Sequence, residues 1–371
     1  MSVAEPVLTP TFCPERLTLA RQRRGLTKSQ LAETCGLTLR SITGYEGASS
    51  SPSRDTLNRI SRYLKVPISF FARPEPEFPS AEGVSFRALT AMRAGQRDAA
   101  LGAGAIAFEL HDWINAQFNL PATSVPDLPN MDPEAASEMV RTEWGLGQLS
   151  IGNTIHILEA HGVRVFSLTE DNAEVDAFSL WRGNVPFVFL NTRKSSERSR
   201  FDAAHELGHL VLHRKGGPVG RQAEHEANLF ASAFLMPQTS ILAHAPRQPS
   251  LPALVQAKAY WRVSVQALVV RLFRLHLLTE WHYRSLCVQI AEHSYNRNEP
   301  NSEPREISQV LDKVISMLRD RGVGVADIAR DLDVYPDEVK SLIFGLVLTA
   351  TRGGNVQRIS QHEPARLALL K

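Results

Sequence analysis

At 371 residues the chain is long enough for roughly two to three domains, each with its own core. Hydrophobic residues at 43% and charged residues at 22% give the balance of a soluble globular protein, and no run of about eighteen uncharged apolar residues exists to cross a membrane as a helix. The net charge of +2 conceals an asymmetry: residues 1–73 hold 11 Lys/Arg against 5 Asp/Glu, while the remaining 298 hold 30 against 34. A small basic part on a slightly acidic body implies that only the first part meets a polyanion.

The opening stretch, MSVAEPVLTPTFCPERL, lacks a basic segment followed by a long apolar one, so no signal peptide is expected. Cys13, Cys35 and Cys287 stand far apart and form neither a paired metal motif nor a disulfide framework. A reducing cytoplasm is the expected compartment.

Residues 14–71 read as short helices with tight joints. PERLTLARQRR sets Leu17 and Ala20 at helical spacing; Thr27 then caps TKSQLAETC, which Gly36 stops. Thr38 opens TLRSITGYEG, ended by Gly47, and SPSRDTLNRISRYL comes next with Leu57, Ile60 and Leu64 on one face. Leu31, Cys35 and Ile42 are expected in the core. Two helices joined by a short Gly-containing turn make a helix-turn-helix unit.

Across this whole segment, LTKSQLAETCGLTLRSITGYEGASSSPSRDTLNRISRYLKV resembles the Cro/repressor-like (XRE) helix-turn-helix family. The resemblance implies that the third helix enters the major groove of double-stranded operator DNA, its N-terminal residues facing base edges. Those are Thr38, Leu39, Arg40 and Thr43, with Gly44 leaving room and Arg40 the candidate for a guanine contact. Lys28, Gln30 and Arg54 would hold phosphates. A helical bundle for protein contacts is the alternative, which the basic charge disfavours.

ARPEPEFPSAEG, residues 72–83, reads as a joining segment, and a helix is expected from about Arg97 despite Gly102 and Gly104. From Pro133 the pattern changes. PEAASEMVRTEWGL and IGNTIHILEAHG read as helices; VRVFSL, DAFSLW and VPFVFLN as short strands. VPFVFLN fits equally an edge strand that pairs with a substrate backbone or a plain core strand.

FDAAHELGHLVLH then places His205 and His209 four residues apart on one helical face, where both can reach a single cation. Zn²⁺ takes imidazole nitrogen readily and wants about four ligands, one position open if it is catalytic. Glu206 sits beside the first histidine, as a general base must. On the following helix, RQAEHEANLFASAFLMP, Glu224 can supply a third ligand, and Asn228 one turn on can orient a ligand from behind. Glu226 is the competitor for Glu224. His225 is expected to face away, and His213, rotated by about 80° from His205, is expected in a surface or packing role.

FDAAHELGHLVLH followed by EHEANLFASAFLMP resembles the ImmA/IrrE family of metallopeptidases, from roughly Arg141 to Pro237 and more loosely to about Pro300. The resemblance implies a gluzincin-like zinc site with His205, His209 and Glu224 as ligands and Glu206 as base. It also implies a repressor protein as substrate.

Residues 254–286 have apolar positions at helical spacing, and VADIARDLDVYPDEVKSLIFGL echoes a second helix-turn-helix. Residues 303–352 carry 7 basic against 9 acidic residues, so packing or dimerisation is expected there rather than DNA reading.

The expected fold is mainly α and multidomain. A four- to five-helix DNA-binding domain (1–72) is followed by a linker and helical connection (73–133), a small α+β metallopeptidase domain (134–245), a helical extension (246–300) and a helical C-terminal region (301–371). The expected function is a homodimeric transcriptional regulator whose zinc domain cleaves itself or a partner repressor. The alternative is a regulator whose peptidase-like domain is a non-catalytic sensor or dimerisation domain.

Overall fold

Side-chain caps set the helices of the N-terminal part. Thr27 accepts from the Gln30 amide and Gln30 accepts in return from the Thr27 amide, so both orphan donors at the start of α2 (Lys28–Thr34) are satisfied. Thr38 and Ser53 cap α3 (Leu39–Glu46) and α4 (Arg54–Leu64) by accepting from the Ser41 and Thr56 amides. With α1 (Pro14–Arg23) these helices bury Leu17, Leu31, Cys35, Ile42, Ile60 and Leu64. Arg21 adds a two-pronged bond to Glu46, at 2.5 and 3.0 Å, that ties α1 to α3.

The computed structural model describes residues 12–79, 93–168, 177–214, 220–347 and the backbone of 368–369. Its fold is mainly helical. Helix α5 (Ala94–Asn115) begins three residues before Arg97, and tertiary packing explains its glycines. A Cβ on Gly102 would come within 3.0 Å of the Arg23 backbone, and one on Gly104 within 2.8 Å of Pro79 Cγ. Low helix propensity is accepted there because α1 and the joining segment lie directly against the helix.

One three-stranded sheet has the order β2 (Arg164–Ser167), β4 (Val185–Leu190), β3 (Ala177–Arg182), with β2–β4 parallel and β3–β4 antiparallel. The short β1 (Phe118–Asn119) pairs apart from it, with β5 (Ala368–Leu369). VPFVFLN is therefore the central strand, hydrogen-bonded on both sides, and the edges belong to β2 and β3.

Strand alternation gives the sheet two different faces. Phe187 and Phe189 turn to α5, where Phe108 meets Phe187 at 4.8 Å between ring centroids. Ser179 and Trp181 turn the other way, to α8 (Ser196–Leu212). Trp181 Nε1 donates there to the Leu210 carbonyl at 3.2 Å. Arg182 returns to the α5 side, bonding Asp112 and Glu77. The joining segment reaches Pro79 on this same α5 face.

Helix α8 is anchored at its start. Arg200 donates to Glu306 and to the Ile151 carbonyl, and Glu197 accepts from Ser302 and the Glu303 amide. Helix α6 (Pro133–Glu143) and α9 (Arg221–Leu235) pack against α8; α7 (Thr154–Ala160) precedes β2. Four helices continue the chain: α10 (Gln238–His244), α11 (Leu251–Trp261), α12 (Val265–Arg274) and α13 (Glu280–Glu292).

Next come α14 (Gln309–Asp320), α15 (Val325–Asp331) and α16 (Pro336–Ile343). The second helix-turn-helix echo is a real helical pair, α15–α16, but one face of its second helix is buried. Val339, Leu342 and Ile343 face the core, and Glu338 accepts from Arg23 at 2.5 Å and Arg24 at 3.3 Å. It packs the body against α1. Behind it, Glu159 of α7 accepts from Ser308 and from the Gln309 and Val310 amides at the start of α14. No described helix is long and apolar enough to cross a membrane.

Candidate metal centre and nucleic-acid interface

The i, i+4 spacing in α8 brings the Nε2 atoms of His205 and His209 to 3.1 Å, and α9 lays Glu224 across both. One Glu224 oxygen stands 3.3 Å from His205 Nε2 and the other 3.3 Å from His209 Nε2. The ligand atoms of these three residues all lie within 4.8 Å of one another. Gly208 permits the approach of the two helices: a Cβ there would sit 3.2 Å from both Ala227 Cα and Phe230 of α9. Two imidazole nitrogens and a carboxylate converging on one point match the N/O donor set of zinc, with a fourth position left over. The donors fit the ion.

Glu206, next to His205 in the chain, is buried beside this cluster and beneath β3. It is 2% exposed, and Ser179 Oγ donates to its Oε2 at 2.6 Å. Burial pushes its carboxyl up to about 7, against the pull of His205 and the Ser179 bond, while Glu224 and Asp202 raise it further. A carboxyl in that range both takes and returns a proton near neutral pH.

The two histidines differ. Burial drives His209 down to about 4, only partly offset by Glu224, so it is neutral with a nitrogen lone pair to offer. Burial also pulls His205 down, but the Glu224 hydrogen bond and the charges of Glu206, Glu224 and Asp202 reverse this and leave it raised. Burial raises Glu224, yet the two histidines outweigh it and hold its carboxyl well below the usual range.

Glu224 rather than Glu226 thus meets the histidines, and His225 is exposed. Asn228, half-buried one turn on, makes no hydrogen bond to these side chains among the described residues. Two partners escaped the sequence reading. Ser179 had only a weak signal, a lone polar residue inside the apolar run AFSLW. His213 had a better one, since it continues the i+4 series of His205 and His209. It is not merely packed: its Nδ1 stands 3.0 Å from His209 Nδ1, and its Nε2 stands 3.1 Å from Glu226.

On the N-terminal part, Leu39 (50% exposed), Arg40 and Thr43 lie on the open side of α3. Thr38 is exposed at its cap, where its hydroxyl also meets Ser41 Oγ at 2.8 Å. Arg54 is exposed at the start of α4. Lys28 pairs with Glu46 at 3.3 Å, and the Gln30 carbonyl is engaged in the cap of α2. A Cβ on Gly44 would meet Ser50 Oγ at 2.7 Å, so the glycine lets the turn after α3 close over the helix.

Comparison with known proteins divides the chain in the same two places. Residues 17–71 match the family described as Helix-turn-helix, and residues 158–273 match the family described as IrrE N-terminal-like domain, a peptidase family. Over 61 residues the chain is 34% identical to proteins named as uncharacterized HTH-type transcriptional regulators, one from Sinorhizobium medicae and one from Rhizobium meliloti. Each alignment covers 16% of this chain and 44% of the relative. The chain carries an XRE-like helix-turn-helix domain at its N-terminus, joined to an IrrE-like domain of the M78 peptidase family.

Proposed function

We propose that this chain is a DNA-binding transcriptional regulator whose second domain is a zinc metallopeptidase acting on a partner repressor. The observation that carries the reading is the convergence of His205, His209 and Glu224, with Glu206 buried beside them and held by Ser179. His205 and His209 would hold the ion through Nε2, and Glu224 through its carboxylate. A bound Zn²⁺ supplies Lewis acidity, polarising a peptide carbonyl and lowering the pKa of water.

The chain's own residues supply the proton traffic. The Ser179 hydroxyl occupies Oε2 of Glu206 and fixes the carboxylate plane, leaving Oε1 to receive a proton from the attacking water. The protonated carboxyl, near pH 7, returns that proton to the leaving amine nitrogen as the C–N bond breaks. Burial at the sheet keeps bulk water from competing for it.

A separate protein is favoured over the chain's own joining segment as the substrate. Residues 73–79 run along the α5 side of the sheet, by Glu77–Arg182 and Pro79–Gly104, whereas the metal cluster lies on the α8 side. Positions 80–83 of the segment fall outside the described residues.

On the DNA side, Arg40 is the base-reading residue, with Leu39 and Thr43 beside it for apolar contact with a thymine methyl group. Thr38 stands with them at the start of the helix, while Gln30, Lys28 and Arg54 approach the backbone. The test incubates the zinc-loaded full chain with a panel of helix-turn-helix repressors and with itself, next to Glu206→Gln, and maps products by mass spectrometry. Zinc-dependent cleavage of one repressor, absent in the variant, is expected. Identical product patterns from the two proteins would sink the peptidase reading.

A further inference from the structure

A chain of hydrogen bonds behind the metal cluster takes no part in the reaction above. It starts behind His209. The Nε2 of that ring faces His205 and Glu224, while its Nδ1 faces His213 Nδ1 at 3.0 Å. The Nε2 of His213 in turn meets Glu226 Oε2 on α9 at 3.1 Å, and Gln222 Nε2 donates to the other Glu226 oxygen at 3.0 Å. His213 is the residue that ends α8, so the chain crosses from the end of that helix to the first turns of α9.

The chemistry of the groups allows one order of protons that leaves the cluster able to take a cation. An ionised carboxylate only accepts, so His213 Nε2–H donates to Glu226. A neutral His213 then has a bare Nδ1, which accepts from His209 Nδ1–H. That leaves the His209 lone pair on Nε2, the nitrogen aimed at Glu224. In the reverse order His209 carries its proton on Nε2, and the ligand position is blocked. Metal-binding histidines characteristically donate their other N–H to a carboxylate, carbonyl or water, which fixes tautomer and ring angle. Here a histidine stands between the ligand and the carboxylate.

We propose that His213 and Glu226 are positioning residues for the metal centre, a carboxylate–histidine pair that holds His209 in the Nε2-bare tautomer and orients its ring toward the cluster. The proposal rests on the reading of His205, His209 and Glu224 as a zinc site, and deepens it. The pair also separates the roles of two glutamates on one helix. Glu224 completes the ligand set; Glu226 acts through His213.

The experiment uses the full chain and measures zinc affinity by competition with a chromophoric chelator. Circular dichroism and melting of the metal-free proteins are recorded alongside. Glu226→Ala and His213→Phe are expected to weaken zinc about 10- to 100-fold while the metal-free fold is retained. Glu226→Gln keeps an amide oxygen that accepts from His213 Nε2–H, so its loss is expected to be smaller than that of Glu226→Ala. In cobalt-substituted protein, His213→Phe is expected to shift the visible absorption of the ion, a change that a purely structural role for His213 would not cause.

If Glu226→Ala melts the metal-free chain, Glu226→Gln and the cobalt spectrum decide. Wild-type zinc affinity in both His213→Phe and Glu226→Ala, or an unshifted cobalt spectrum, overturns the positioning role and leaves the zinc site standing. A wild-type chain that takes up no zinc overturns the underlying site instead.

Discussion

The proposed DNA-reading face and the proposed metal centre place their functional side chains in opposite surroundings. On α3, Leu39, Arg40 and Thr43 project into solvent from a helix fixed by its cap and by Ile42 beneath. In α8, Glu206 and His209 are buried, and the side chains of the centre are held by others: Glu206 by Ser179, His209 by His213, and Glu224 by the two histidines. An exposed reader must stay adaptable to a ligand many times its size, and its selectivity comes from a few projecting groups. A catalytic centre must be preorganised, and its geometry depends on what stands behind each group. Substitutions should therefore act locally on the first region and cooperatively on the second.

The largest effect that can break this contrast is at Glu206. Glu206→Gln is expected to lower the rate of repressor cleavage by about 10²- to 10⁴-fold, the usual share of a general acid–base group. Metal content and operator affinity should not change. Initial rates, zinc analysis and DNA titration on one preparation check all three together, and a variant that also lost operator affinity would mean the regions are not independent.

A packing change should come next. Gly208→Val places two methyl groups where even a Cβ would lie 3.2 Å from the backbone of α9, and overpacking of this kind costs about 1–3 kcal/mol. Thermal melting and zinc affinity should fall together, since the same displacement carries Glu224 away from the histidines. A lowered melting point with unchanged zinc affinity would show that Glu224 does not depend on this approach.

On the reading face, Arg40→Ala is expected to weaken preferred-site binding by about 1–3 kcal/mol and to relax selectivity at one base pair. Lys28→Ala should weaken all sequences about equally and lower the salt slope by about one, because a phosphate contact carries no sequence information. Gel-shift titrations over several salt concentrations separate the two. Equal, sequence-independent losses would move the base-reading role away from Arg40.

A further expected effect lies in the scaffold behind the metal site. Burial pushes Glu159 up to about 7 from its ordinary 4.5, despite its bonds to Ser308, Val310 and Gln309. Between those pH values the folded state holds a proton that the unfolded state has released, so this group's contribution to stability falls as pH rises from 4.5 to about 7. His111 and His161, held down to about 4 by burial, act with the opposite sign: their contribution is lost as pH falls from 6.5 toward 4. Denaturant midpoints of wild type and Glu159→Gln, subtracted across pH 4.5–7, isolate the glutamate. A difference that declines with pH is expected; a flat one would show that Glu159 is not buried as an acid.

Sequence order carried the local features of both regions. Thr27, Thr38 and Ser53 each cap the backbone amide three residues further along, and His205, His209 and Glu224 lie on helices whose faces can be counted. The features that were not legible depend on elements far apart in the chain. Ser179 meets Glu206 across 27 positions, from a strand to a helix, and nothing in either segment encodes the meeting. The central place of VPFVFLN comes from parallel pairing with Arg164–Ser167, which the β-branched and aromatic pattern of a single strand cannot reveal. Gly102 and Gly104 read as flaws in a helix until α1 and Pro79 are seen against them. His213 was discounted by its rotation from His205, although its true neighbour is His209, one turn away.

Zinc stoichiometry of the full chain reads out directly whether His205, His209 and Glu224 converge on one ion. Protein prepared without chelator and dialysed against trace zinc is expected to hold one ion per chain in wild type and in Glu206→Gln, and none in His205→Ala or Glu224→Ala. Wild-type protein without zinc, or Glu224→Ala with a full complement, would contradict the account.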